Sequence, residues 1–295
     1  MIGYVISKSE LEPLIEAEAS GWLQKAKDRT ETFRTQGFYE ESSSIWSEVK
    51  AVYMRLQGEG KCAYCERKLE GVELGKGEQD VEHFRPKSNV RVWKMPKSLV
   101  DAGVVQTKPA EDGGGYYLLP YNIFNYAASC KPCNSVLKKD YFPIAGNYEL
   151  KGEDPRKLKK EKPFLLYPIG DFDDQPETVI KFHGVSPQPA AASGHKRHRA
   201  LVTIEFFKLD DSAKRKNLFR ERAMVIVVLH PQLKKAATGG NSAEAVQARQ
   251  IVDGFTSSKS AHANCARSFK RLFETDPAEA QAVFDRAVEL IHSIS

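Results

Sequence analysis

Long apolar runs are missing from this sequence. The longest, AMVIVVL at 223–229, has seven residues, against the roughly 20 that a membrane-spanning helix requires. The opening MIGYVISKSELEPL lacks a basic segment followed by an apolar one, so no secretory leader is expected and a cytoplasmic location is. Charge of one sign is also scarce. A net charge of +5 and a pI near 8.8 are compatible with nucleic acid but too mild to establish it. Cysteine is rare as well, at five in 295 residues. A chain of this length buries enough surface for one large domain or two ordinary ones without disulfides.

The few cysteines are not scattered. Cys62-Ala-Tyr-Cys65 and Cys130-Lys-Pro-Cys133 form two C-x-x-C pairs, leaving Cys265 alone. Each C-x-x-C turn aims two thiolates at one tetrahedral Zn²⁺, and two turns make a closed four-sulfur site with no position open for chemistry. The metal is therefore expected to be structural. A redox C-x-x-C needs no second pair, and disulfides are disfavoured in a reducing compartment. Cys265 reads as a small helix residue. The 64 residues between the pairs far exceed the usual zinc-ribbon spacing of about 15–20, so something is built between them.

That stretch holds QDVEHFRPKS at 79–88. On an extended chain Asp80 and Glu82 share one face and Val81 takes the other, and Pro86 stops the strand near His83. Carboxylates beside an imidazole suit a divalent cation with a base, and equally a surface ion pair. Farther on, YYLLPYNIF looks strand-like. Pro132 fits a first helical position, with Ser129 or Cys130 as cap, opening a helix of about two turns that carries Asn134 and Lys138 on one face. The local order is strand, strand, helix.

In this order the residues resemble the HNH endonucleases, whose ββα-metal core has an acidic-His dipeptide followed by a proline, a central Asn, and C-x-x-C-N. Glu82-His83 with Pro86, then Asn125, then Cys130-x-x-Cys133-Asn134 match. The resemblance implies His83 as general base, Glu82 and Asn134 as ligands of a catalytic Mg²⁺ or Mn²⁺, Asn125 as a brace for the His-bearing loop, and Asp80 as a further ligand or an orienting neighbour. Phosphodiester hydrolysis wants such groups: a base for water and a hard cation bound by oxygen, while sulfur takes the zinc. Glu before the His, where many HNH sequences have Asp, and a long insertion at about 89–115 ending in a flexible Gly run depart from the common pattern. Lys138 stands one place later than the usual basic residue, and its role is open.

The expected fold class is α+β, with an HNH core at 58–145 between a helical region at 1–57 and a mixed, then helical, region at 146–295. PFLLYPIGDF and ETVIKFHGVS read as strands, and YEESSSIWSEVKAVYMRLQ as a helix whose Trp46, Val49, Val52, Tyr53 and Leu56 pack a core. Basic clusters at 151–163, 194–199 and 213–222 offer contacts to a phosphate backbone, or merely solvated faces. His183, His195, His198, His230, His262 and His292 lack ligand spacing. Over about 40–228 the chain is similar to a narrower group, the PtuB-like HNH nucleases of Septu and retron anti-phage systems. That resemblance implies an ATPase (PtuA-like) or reverse-transcriptase partner, and the leading expectation is an endonuclease of nucleic acid, DNA foremost. The competing expectations are a catalytically silent zinc module that binds nucleic acid or a partner, and an RNA-cleaving HNH toxin.

Overall fold

The computed structural model describes residues 1–111 and 113–294. Helix α1 (Lys8–Glu18) starts at a capping box in which Ser7 and Glu10 satisfy each other's backbone N–H. After α2 (Trp22–Gln36), closed by Gly37 at φ 80°, the chain makes a 3₁₀ turn, Trp46–Val49, that leads into α3 (Lys50–Leu56). The helix expected over 39–57 thus begins only at Trp46. Leu11, Ile15, Trp22, Phe33, Val49 and Tyr53 are buried together.

Two short helices follow, α4 (Val72–Gly75) and α5 (Lys97–Asp101). Between them runs strand β1 (Gln79–His83), paired antiparallel with β2 (Tyr126–Cys130) in a register that sets Glu82 opposite Ala127 and His83 opposite Tyr126. An isolated two-stranded ribbon is marginal in water, and here its second edge is covered. Gln57 accepts from the Ala128 N–H at 2.8 Å and donates to the Ala128 carbonyl at 2.7 Å, and the Ala63 N–H reaches the same carbonyl at 3.0 Å.

The second strand lies later than its expected place. Tyr116–Asn125 forms turns ending in the 3₁₀ segment Ile123–Asn125, and pairing begins at Tyr126. YAASC has little intrinsic strand character, but all five residues are buried, and partners on both edges outweigh propensity. After β2 comes a π-helical turn, Pro132–Lys138, entered through Lys131. Neither Ser129 nor Cys130 is its cap, because both belong to the strand.

The described part of the 89–115 insertion is packed. Val90, Leu99 and Val104 are buried, and bridges join Arg91 to Tyr141 and Thr107 to Ile144. Gly115 serves close approach: a Cβ there would fall 2.4 Å from the Lys87 carbonyl oxygen.

A hairpin of β3 (Ile180–His183) and β4 (Ser186–Pro189) comes next. PFLLYPIGDF stays irregular apart from bridges at Pro163 and Ile169. Helices α6 (Gly194–Phe206), α7 (Lys216–Thr238), α8 (Ala243–Thr256), α9 (Ala263–Thr275) and α10 (Pro277–Ile294) complete the chain. The class is α+β: helices around two small two-stranded sheets.

There are two apolar cores. The larger holds the N-terminal helices, the β1–β2 ribbon, the cysteine turns and α6. The smaller lies among α7–α10, around Ile226, Leu229, Val252, Phe269 and Val283. Helix α7 spans both, since Leu218 belongs to the first and Ala223 onward to the second.

Glu161 is a buried junction between the ribbon and the segment after it. It accepts from Arg85 Nε at 2.8 Å, Tyr116 Oη at 2.5 Å and the Glu149 N–H at 3.1 Å. Arg85 and Glu161 are 3 % and 0 % exposed, so deleting one partner leaves a buried charge. Glu161→Ala is expected to cost about 3–5 kcal/mol in a chemical denaturation series. A wild-type midpoint would show that Arg85 finds another partner.

Candidate functional site

The first cysteine turn is a tight loop. The Cys62 N–H donates to the Arg67 carbonyl at 3.0 Å, the Glu66 N–H to the Cys62 carbonyl at 3.1 Å, and Glu66 adopts φ 60°. The second pair is built differently, with Cys130 closing β2 and Cys133 on the π-helical turn. All four cysteines are free and buried, and their sulfurs lie within 4.8 Å of one another.

Cys65 and Cys130 sulfurs are 3.9 Å apart. That is far beyond a disulfide and close to the roughly 3.8 Å edge of a tetrahedron with Zn–S bonds of about 2.3 Å. The donor set fits a closed structural zinc. The Cys130 N–H and the Arg215 guanidinium each point at a sulfur, Cys62 and Cys133 respectively, at 3.4 Å. Burial works against the Arg215 charge, but Cys133, Cys65 and Cys130 outweigh it and hold Arg215 firmly protonated.

The ribbon carries the other candidates. Along β1, Asp80 and Glu82 look toward the π-helical turn. Asp80 Oδ2 accepts from Asn134 Nδ2 and Ser135 Oγ, each at 3.2 Å. Glu82 Oε1 lies 3.1 Å from Lys138 Nζ, and the two residues are 2 % and 0 % exposed. That approach is an ion pair without hydrogen-bond alignment, and both atoms lack a hydrogen-bond partner. Burial pushes the Glu82 carboxyl up to about 7, with Lys138 opposing.

His83 faces other neighbours. Its ring meets Trp46 at 4.9 Å and Tyr126 at 5.1 Å, both edge-on. Nε2 lies 3.1 Å from the Pro120 carbonyl; a carbonyl only accepts, so Nε2 carries the proton and Nδ1 keeps its lone pair. Burial, with Lys87 adding, lowers the imidazole to about 3, so it is neutral at physiological pH. Asn125 is fully buried behind this loop. Its Oδ1 accepts from the Arg85 N–H at 2.8 Å, and its Nδ2 donates to the Arg85 and Leu119 carbonyls at 3.0 and 3.1 Å. This ties the backbone just after His83 to the turn that presents Pro120.

Asp80 and Glu82 therefore share one side of the ribbon, as strand alternation requires, and Asn134 meets Asp80 there from the π-helical turn. His83 borders that group without joining it. Among the described residues, only the four cysteines form a cluster of three or more Cys, His, Asp or Glu ligand atoms.

Sequence reasoning missed three site residues: Lys138 as the partner of Glu82, Trp46 against His83, and Lys87, whose ammonium lies over the Tyr39 and Trp46 rings at 5.2 and 4.8 Å. Trp46 gave no signal beyond helical spacing. Lys87 lay within the quoted motif. The basic clusters are partly structural. Arg199 is spent on Asp173 and Asp174, Arg215 on Cys133, and Arg222 on the Val185 and Leu209 carbonyls. Of the other histidines, His183 and His262 meet Glu279 and Glu221, and His230 stacks on Phe284. Cys265 is buried in α9, donating to the Gly184 carbonyl at 3.4 Å.

Comparison with known proteins is sparse. The chain matches no protein-family model, and no solved structure matches it. It is 30 % identical over 162 residues to a protein named Septu protein PtuB from Bacillus mycoides (strain KBAB4), a match covering 54 % of this chain and 46 % of that protein. The chain thus spans about half the length of this curated relative. Among the described residues no helix is long and apolar enough to cross a membrane.

Proposed function

We propose that this chain is a metal-dependent HNH endonuclease that hydrolyses nucleic-acid phosphodiester bonds, DNA foremost, as the effector of an anti-phage defence system. The observation that carries the reading is His83: neutral, with one ring nitrogen engaged by Pro120 and the other free, following Glu82 on a zinc-braced ribbon whose other face carries the oxygen donors Asp80, Glu82 and Asn134. In this reading Nδ1 of His83 takes the proton from the attacking water. Asn125 holds the loop that sets the ring. Glu82, Asn134 and Asp80 would hold Mg²⁺ or Mn²⁺, which when bound stabilises charge on the phosphate and the leaving oxygen. Such a cation keeps several waters, so a full protein cage is not required. The four cysteines hold the ribbon's end and the π-helical turn in place through zinc. The similarity to a protein named for Septu supports the defence role, with an ATPase or reverse-transcriptase partner acting on the helical flanks.

The buried Glu82–Lys138 pair favours a second reading, because an internal ammonium already neutralises the carboxylate that a metal would use. The chain would then be a silent zinc module. Incubating zinc-loaded protein with supercoiled plasmid and with RNA, in Mg²⁺ or Mn²⁺, alone and with the products of neighbouring genes, separates the two. Nicked or linear plasmid is expected. No cleavage of either substrate under any of these conditions would overturn the nuclease reading.

A further inference from the structure

We infer that Lys87, held across Tyr39 and Trp46 beside His83, is a phosphate-binding residue that takes a phosphodiester group of the strand being cut. This rests on the nuclease reading and assigns the substrate contact that reading lacks.

The backbone at Lys87 is fixed on both sides. The Tyr116 N–H donates to the preceding Pro86 carbonyl at 2.8 Å, and Gly115 packs on the Lys87 carbonyl so closely that any side chain there would collide. From this anchored point the stem runs over two aromatic faces, with Nζ 5.2 Å from the Tyr39 ring centroid and 4.8 Å from that of Trp46. The same indole meets His83 at 4.9 Å, so the ammonium and the imidazole share one ring as neighbour.

The ammonium has no carboxylate partner among the described residues. Three acids face it: Glu41, Asp140 and Glu82. Each is engaged elsewhere. Glu41 accepts from Arg29 at 2.7 Å, Tyr39 Oη at 2.8 Å and Tyr121 Oη at 2.5 Å. Asp140 sits 3.5 Å from Arg91, and Glu82 is taken by Lys138. The buried lysines Lys61 and Lys138, by contrast, are both within ion-pair reach of a carboxylate. A lysine whose rotamer is already ordered loses little entropy on binding, and its missing counter-charge is what an anion supplies. The aromatic pair adds a surface on which a neighbouring base can rest. The anion chemistry is a phosphodiester, because the imidazole that meets the same Trp46 ring is the proposed base for cleaving one.

The test measures binding apart from cleavage. In the His83→Ala background, zinc-loaded protein is titrated in Ca²⁺ with labelled DNA and RNA of about 20 nucleotides, single-stranded and duplex, over a series of salt concentrations. Lys87→Met, which keeps the apolar stem, is expected to bind about tenfold more weakly and to lower the slope of log K against log[salt] by about 0.7–0.9, while Lys87→Arg keeps both. Lys87→Gln replaces the Met variant if zinc content or melting temperature departs from the parent. Unchanged affinity, weaker binding with an unchanged slope, or no binding by the parent to any probe would each overturn the inference. Binding that responds to Lys87 in a protein that never cleaves would instead sink the nuclease reading and leave the phosphate contact standing.

Discussion

Cys62→Ser is expected to strip the protein of zinc and to collapse its soluble yield. The four sulfurs join the first cysteine turn to the end of β2 and the π-helical turn that carries Asn134 and Lys138. Losing one ligand also weakens the sulfur cluster to which Arg215 bonds next to the start of α7. Structural zinc contributes roughly 10 kcal/mol or more to small domains at neutral pH, well above the few kcal/mol that a single buried contact contributes. Elemental analysis of the wild type should find one zinc per chain, and chelation should lower its melting temperature steeply. Zinc-free wild-type protein with an unchanged melt would sink the assignment.

His83→Ala should reduce cleavage by about 10²–10⁴-fold, the usual contribution of a general base, while zinc content and secondary structure stay at wild-type levels. The ring packs edge-on against Trp46 and Tyr126 and makes one polar contact, with the Pro120 carbonyl, so its removal empties a small space at the ribbon's end. Asn134→Ala tests the cation side and should be partly rescued by more Mg²⁺ or Mn²⁺, whereas His83→Ala should not. Glu82→Ala is the poorer variant, because it strands the Lys138 ammonium at 0 % exposure and should cost several kcal/mol of stability. Cleavage by His83→Ala at the wild-type rate would remove His83 from the chemistry.

Much of the candidate site was legible before the fold. The two sulfurs within each C-x-x-C pair are neighbours because the spacing is local and covalent. Asp80 and Glu82 share a side because side chains alternate along any strand. The end of β1 at His83 follows from the proline three residues on. The position of β2 was less legible. YYLLPYNIF has the composition of a strand and is not one, while YAASC becomes one because β1 pairs with one edge and Gln57 with the other. The glycines before Tyr116 read as flexible, yet Gly115 is there for close approach to Lys87.

From its sequence alone this protein was bound to place the two sulfurs of each C-x-x-C pair side by side and to line carboxylates along one strand face, since those outcomes depend on residues a few bonds apart. Only the tertiary structure decided which charges neutralise each other. Lys138 meets Glu82, Arg215 meets Cys133, Glu41 is used up by Arg29 and two tyrosines, and Lys87 is left beside His83 with aromatic rings and no ion-pair partner among the described residues. Coulomb energies depend on distance and burial, and for residues up to 82 positions apart in the chain these are set by how the elements pack, which no local pattern records.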